Sequence, residues 1–154
     1  MKMPASLHNI ASEDQHFAPE PFASEIGPFQ RKRLGDFFGL MQMGIHHEII
    51  PPGSKTSLFH WHSKSEEFVY VLSGTITLVT EEGELPMSEG MCIGIQPGTG
   101  EGHQLVNLSD ASAELFVVGT RPENDQVNYP NHDLMWQQDG EGQWHACHKN
   151  GEKY

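Results

Sequence analysis

Three histidines and a glutamate carry the densest chemistry in the chain: His60-Trp61-His62, then Glu67, then His103. A strand alternates its side chains between two faces, so His60 and His62 share a face and Trp61 takes the other. Two imidazoles one step apart on one face suit a divalent metal. Glu67 has the parity of Val69 and Val71 on the following strand, so a hairpin can bring its carboxylate up to the two histidines. Its neighbour Glu66 competes for the role, but parity points Glu66 outward or to the rim. His103, after a Pro97-Gly98 turn, offers one more imidazole. Ligands of these types bind Fe, Mn, Ni, Cu or Zn without strong discrimination.

The spacing around these residues resembles the two motifs of the cupin superfamily. The first reads G-x5-H-x-H-x3-4-E-x6-G. Gly53, His60, His62, Glu67 and Gly74 match it, with one extra residue before His60. The second reads G-x5-P-x-G-x2-H-x3-N. Gly90, Pro97, Gly100, His103 and Asn107 match it, with one extra residue before Pro97 and one before Gly100. The resemblance covers roughly residues 34–128. Phrases such as HWHSKSEEFVYVLSG and VGTRPENDQVNYPNHDL also look like a group of small bacterial cupins, some catalogued as candidate sugar phosphate isomerases.

The resemblance implies an all-β, double-stranded β-helix or jelly-roll barrel. It also implies one divalent ion held by His60, His62, Glu67 and His103. Four protein ligands leave an octahedral ion room for water, substrate or dioxygen, so such a site is open and catalytic in type. Asn107 reads as a structural residue that bonds backbone, and Gly100 and Gly102 as loop formers.

These residues must be positioned by many short strands. Sixteen glycines and ten prolines in 154 residues favour turns and strands over long helices. Strands are expected over 56–62, 67–73, 75–80, 91–96, 103–108 and 113–119, with one or two more over 37–50, broken at Gly39 and Gly44. Glu81 to Glu84 reads as an exposed acidic turn. Residues 1–33 carry four prolines and read as an extension packing on the barrel through Phe17, Phe22, Ile26 and Phe29. The barrel proper spans 34–128, and 129–154 reads as a C-terminal arm. No second ligand cluster accompanies His145, Cys147 and His148. Adjacent His46 and His47 face opposite ways and cannot serve one metal.

Inward parity gathers Leu58, Val69, Val71, Ile76, Leu78 and Leu105 around the metal, a largely apolar pocket for a small organic molecule. Outward parity gathers Phe59, Trp61, Phe68, Tyr70 and Leu72, a patch large enough to predict a homodimer. The formal charge of −12 makes nucleic acid and anionic membrane poor partners. No apolar run is long enough to span a bilayer. Two cysteines and an N-terminal stretch without an apolar signal segment give the cytoplasm as the expectation.

For function, an Fe(II) dioxygenase-type reaction on a small substrate stands slightly ahead of isomerase or lyase chemistry. A sugar phosphate isomerase needs a cationic phosphate clamp. Lys55 and Lys64 flank the first motif and Arg121 follows the last strand, but none has an established inward parity. The alternative from another class is a binding or sensing module whose metal anchors a ligand.

Overall fold

The computed structural model describes residues 2–14 and 17–154; of the expected extension, residues 1, 15 and 16 lie outside the described residues. Period-two alternation builds the central strand β4 (Glu67–Ser73): Val69 and Val71 are buried, while Phe68, Tyr70 and Leu72 are exposed. The other strands are β1 (Gln30–Arg33), β2 (Met43–Ile50), β3 (Trp61–His62), β5 (Thr75–Thr80), β6 (Gly83–Ser88), β7 (Cys92–Ile95), β8 (His103–Val106), β9 (Ala113–Thr120), β10 (Gln126–Tyr129), β11 (Leu134–Gln138) and β12 (Trp144–Cys147). Two short helices, α1 (Phe22–Ile26) and α2 (Leu34–Phe38), precede β2.

The strands pair antiparallel in three sheets, ordered β1-β2-β9-β4-β7, β12-β11-β10-β3 and β6-β5-β8. The fold is an antiparallel jelly-roll barrel. One apolar core, including Ile50, Val71, Ile76, Leu78, Leu105 and Leu115, fills the space between the five- and three-stranded sheets. A second joins Phe22 and Ile26 of α1 to Leu58, Val127, Tyr129 and Leu134. Burying each such aliphatic side chain stabilises the fold by roughly 1.5–3 kcal/mol. Gly74 makes the tight turn between β4 and β5. Its φ is +76°, and a Cβ there would stand 2.8 Å from the Ser112 carbonyl oxygen.

Several sequence expectations need correction. The segment 1–33 is not all extension, because β1 is the edge strand of the largest sheet. Its sequence QRKR has no apolar alternation. It is held by ladder bonds to β2 and by the Arg31–Glu48 ion pair, and its charged residues suit an edge. Of the strand segment expected from 37, Phe37 and Phe38 belong to α2, Gly39 closes that turn in the left-handed conformation, and β2 runs unbroken through Gly44. The strand expected over 56–62 shrinks to 61–62. The stretch before it touches β8 only through isolated bridges, Lys55 with Val106 and His60 with His103.

The acidic turn expected over Glu81 to Glu84 is shorter, because β6 begins at Gly83 and runs through Pro86. Proline is tolerated there because β6 is a sheet edge. The boundary at 128/129 cuts through β10, and residues 126–147 supply three strands of their own sheet. Finally, β3 pairs with β10 and not with β4. Phe59 and Trp61 are therefore not on strands adjacent to Phe68, Tyr70 and Leu72.

Asn107 ties these parts together. It is fully buried; its Nδ2 donates to the carbonyls of Ile50 at 2.7 Å and Ala111 at 2.8 Å, and its Oδ1 accepts from Ser109 N and Oγ. Asn107→Ala removes the side-chain donor to the buried Ile50 carbonyl and the acceptor that holds Ser109, and is expected to cost about 1–3 kcal/mol. The check is a lower urea midpoint in equilibrium unfolding with circular dichroism.

Candidate metal centre

His60 and His103 face each other across an isolated antiparallel bridge, with N–H···O bonds of 2.9 and 2.8 Å in the two directions. That bridge sets their rings side by side, centroids 4.4 Å apart. His62 lies one strand step from His60, and Glu67 opens β4. Three imidazole Nε2 atoms then converge on one carboxylate oxygen. Glu67 Oε2 is 2.9 Å from His103 Nε2, 3.7 Å from His62 Nε2 and 3.8 Å from His60 Nε2. His60, His62 and Glu67 offer ligand atoms within 4.8 Å of one another, and His103 adjoins them through Glu67. Glu66 is exposed, its backbone tied to Thr120. The structure thus brings the four expected side chains together and leaves Glu66 outside.

Two ring orientations are fixed from behind. His60 Nδ1–H donates to the Leu58 carbonyl at 2.8 Å, and His62 Nδ1–H donates to Asp125 Oδ2 at 2.8 Å. With Nδ1 protonated, each Nε2 presents a lone pair to the site. Asp125 is itself buried and held by Ser63 Oγ and by the amides of Lys64 and Ser65. The donor set fits a divalent transition metal: imidazole lone pairs around a carboxylate in a pocket with apolar walls.

Burial pushes His60 down to about 3, helped by His103 beside it, so this ring is neutral. Burial works against ionised Glu67, but the His103 hydrogen bond and the neighbouring imidazoles prevail and pull it down to about 2. Burial also opposes protonated His62, yet Asp125 overrides it and raises the value.

The four residues occupy one end of a cavity of about 280 Å³. Val69, Leu105, Val117 and Val127 give it apolar walls, as inward parity predicted for Val69 and Leu105. Three polar residues, Arg31, His46 and Glu48, also line it and were missed as a group. No motif marks them. His46 and Glu48 share a face of β2, but Arg31 joins them only because β1 pairs with β2, and the sequence of β1 does not announce a strand. Tyr129 was missed too; its ring stacks on His60 at 5.6 Å between centroids. Asp125 carried a weak signal as an acid in a turn before a strand. Elsewhere, Lys55 is bonded to Glu25, Lys64 to the Glu123 carbonyl and Arg121 to Asp36. His145 bonds Asp139 and His148 bonds Asp133, so with Cys147 they form no cluster.

Sequence and structure comparisons place the chain among known proteins. The model of the cupin domain family matches residues 46–119. A crystal structure from Silicibacter pomeroyi, described as a sugar phosphate isomerase from a cupin superfamily, superimposes with a TM-score of 0.91 at 35% identity, covering 99% of this chain and 96% of that one. A candidate sugar phosphate isomerase from Acidithiobacillus ferrooxidans gives a TM-score of 0.71 at 33% identity, covering 82% of this chain and 80% of that one. An uncharacterized protein of Methanocaldococcus jannaschii is 26% identical over 104 residues, 67% of this chain and 81% of its own. The chain belongs to the cupin superfamily as a small cupin-domain protein. Among the described residues, no helix is long and apolar enough to cross a membrane.

The buried imidazoles set a pH dependence. Burial and the nearby Arg31, Arg33 and Arg121 hold His46 down at about 4, and His60 is held at about 3. The unfolded value is about 6.5, so between pH 6.5 and 4 the unfolded chain takes up protons that the folded one refuses. Each such group removes up to roughly 1.4 kcal/mol per pH unit over that window. His62, raised on folding, acts in the opposite sense: its contribution is full below 6.5 and is lost as pH rises through its folded value. That loss lies above pH 6.5, so the two depressed groups set the slope below it. Chelator-treated protein is therefore expected to lose stability from pH 6.5 to 4; a urea midpoint that rises over this range contradicts the assignment.

Proposed function

We propose that this protein is a metal-dependent enzyme acting on a small oxygen-bearing organic molecule, with His60, His62, Glu67 and His103 holding one divalent ion of Fe, Mn, Ni, Cu or Zn. The observation that carries the reading is the convergence of three Nε2 atoms on Glu67 Oε2, at 2.9, 3.7 and 3.8 Å. A bound ion would supply Lewis-acid polarisation of a substrate carbonyl or, as iron, reactivity toward dioxygen. The chain supplies the rest. Asp125 and the Leu58 carbonyl orient two imidazoles. Burial pushes Tyr129 up to about 12, so it is a neutral phenol at the cavity wall. Apolar side chains exclude water.

Isomerase-type chemistry on a sugar-like substrate has more support than dioxygenase-type chemistry. One relative described as a sugar phosphate isomerase is 35% identical to this chain, and one described as a candidate for that activity is 33% identical. The cavity is also more polar than inward parity predicted, because of Arg31, His46 and Glu48. Dioxygenase-type chemistry remains the second reading, favoured by an open set of histidine and carboxylate ligands.

The test loads the protein with each metal in turn. Anaerobic incubation with sugars and their phosphates in D2O, followed by NMR, detects C–H exchange and isomer formation; an oxygen electrode runs in parallel. Anaerobic turnover supports isomerisation, and oxygen uptake matched to product shifts the assignment. His62→Ala is expected to lose most of its metal while the barrel stays folded, and Glu67→Gln to weaken metal binding far more than Glu66→Gln. Full metal occupancy in His62→Ala defeats the reading.

The protein is further proposed to be a homodimer through the outer face of the five-stranded sheet. There Phe68 pairs with Val118, and Tyr70 with Phe116 and Cys92. Phe68, Tyr70 and Leu72 are 41%, 37% and 39% exposed. The N-terminal helix does not cover this face, since Phe22 and Ile26 pack against Leu58 and the C-terminal sheet. A two-fold axis would set each patch on its own image. Light scattering at micromolar concentration is expected to give twice the chain mass, and Tyr70→Glu to shift it to the monomer.

A further inference from the structure

The cavity has a second polar pole that the proposed metal ligands leave unused. Glu67 stands on β4, while His46 and Glu48 stand on β2, two strands away across the same sheet. Arg31 on β1 lies directly opposite Glu48. The register puts all four on the inner face: Glu67 is level with Gly119 and Gly44, His46 with Val117 and Val69, Glu48 with Leu115 and Val71. Arg31 Nε donates to Glu48 Oε1 at 2.7 Å. Glu48 Oε2 and His46 Nε2 are buried without a hydrogen-bond partner. The Glu48 side chain is 1% exposed. A buried carboxylate oxygen with no donor is a costly group to leave unmatched, and this one lines a cavity.

We propose that Arg31, Glu48 and His46 recognise the end of the substrate remote from the metal, and that this end carries neutral adjacent hydroxyls, as in a sugar or polyol, and not a phosphate. Glu48 Oε2 can only accept a hydrogen bond, so its partner must donate; a hydroxyl does. The remaining guanidinium N–H groups of Arg31 donate to the next hydroxyl oxygen. His46, kept neutral by burial and by three nearby arginines, bonds either way through Nε2. A phosphate dianion offers acceptors alone. It would leave Glu48 Oε2 unmatched and set like charges side by side. Arg31 is the one Lys or Arg among the described residues lining the cavity, and Glu48 already neutralises it. Two strand spacings of about 4.8 Å and a four-residue offset along the strand put the Glu48 backbone roughly 16 Å from that of Glu67, a gap that the inward-reaching side chains narrow to one a molecule of about six carbons spans.

The proposal deepens the metal-dependent reading and rests on it for the other end of the substrate. Its test is calorimetric titration of metal-loaded protein with neutral aldoses, ketoses and polyols of three to six carbons, each beside its terminal phosphate monoester. Wild type, Glu48→Gln and Arg31→Gln are compared, with metal content and circular dichroism recorded for each. At least one neutral sugar or polyol is expected to bind more tightly than its phosphate. Glu48→Gln is expected to weaken that binding about tenfold or more at unchanged metal content. Arg31→Gln, on an edge strand, decides the matter where Glu48→Gln does not fold. Tighter binding of every phosphate ester, no binding of any neutral probe, or variants that bind as well as wild type overturn it. Repeating the titration on chelator-treated protein separates the two readings: dependence on Glu48 persisting there supports the pole even where the metal assignment has failed.

Discussion

Glu67 is a carboxylate kept ionised in a cavity with apolar walls, and the arrangement around it answers the demand that creates. Burial alone drives such a group toward its neutral form. The His103 hydrogen bond and the imidazoles of His60 and His62 reverse that. These rings come from two segments far apart in the chain. The His60–His103 bridge and the short β3–β10 pairing bring them to one point. Removing a ring would take away part of the support that keeps Glu67 ionised against its burial. The backing bonds from Leu58 and Asp125 serve the same end, since a free imidazole would turn away.

The segments outside the family match shape what the cavity can accept. Residues 46–119 supply the four convergent side chains. The positioning acid Asp125 and the stacked ring of Tyr129 come from beyond that span, and Arg31 comes from before it. The matched span thus holds the four-residue cluster together with His46 and Glu48, while the flanking strand β1 adds Arg31 to the opposite wall. Function in such families resides in the site and not in the fold. The apolar floor between the two ends, made of Val69, Leu105 and Val117, keeps water from screening either.

The flanking strands show how an edge can be polar and still ordered. β1 is a run of Gln, Arg, Lys and Arg, with no residue that demands burial. Its inward arginines find Glu48 and Glu13, and stack on Phe29 and Phe17 respectively. Ladder bonds to β2 and these charge contacts stand in for an apolar face. Such an edge also discourages strand addition by another chain.

The sequence by itself determined the parts that rest on local rules. Period-two alternation made β4, β5 and β9 legible, and two histidines at i and i+2 had to share a face. The same parity separated Glu67 from Glu66, and spacing singled out His103. Tertiary structure alone decided the rest. β6 and β1 exist because partners accept them at sheet edges, although Pro86 and the charged run of β1 argue locally against strands. The tail from 126 became a sheet because β3 offered it a ladder and Leu58 an apolar surface. Asp125 reached His62 across 63 positions of chain, and Arg31 met Glu48 across 17. No local pattern encodes such meetings. They follow from strand pairing between distant segments, whose energy is gained only once the whole barrel has closed.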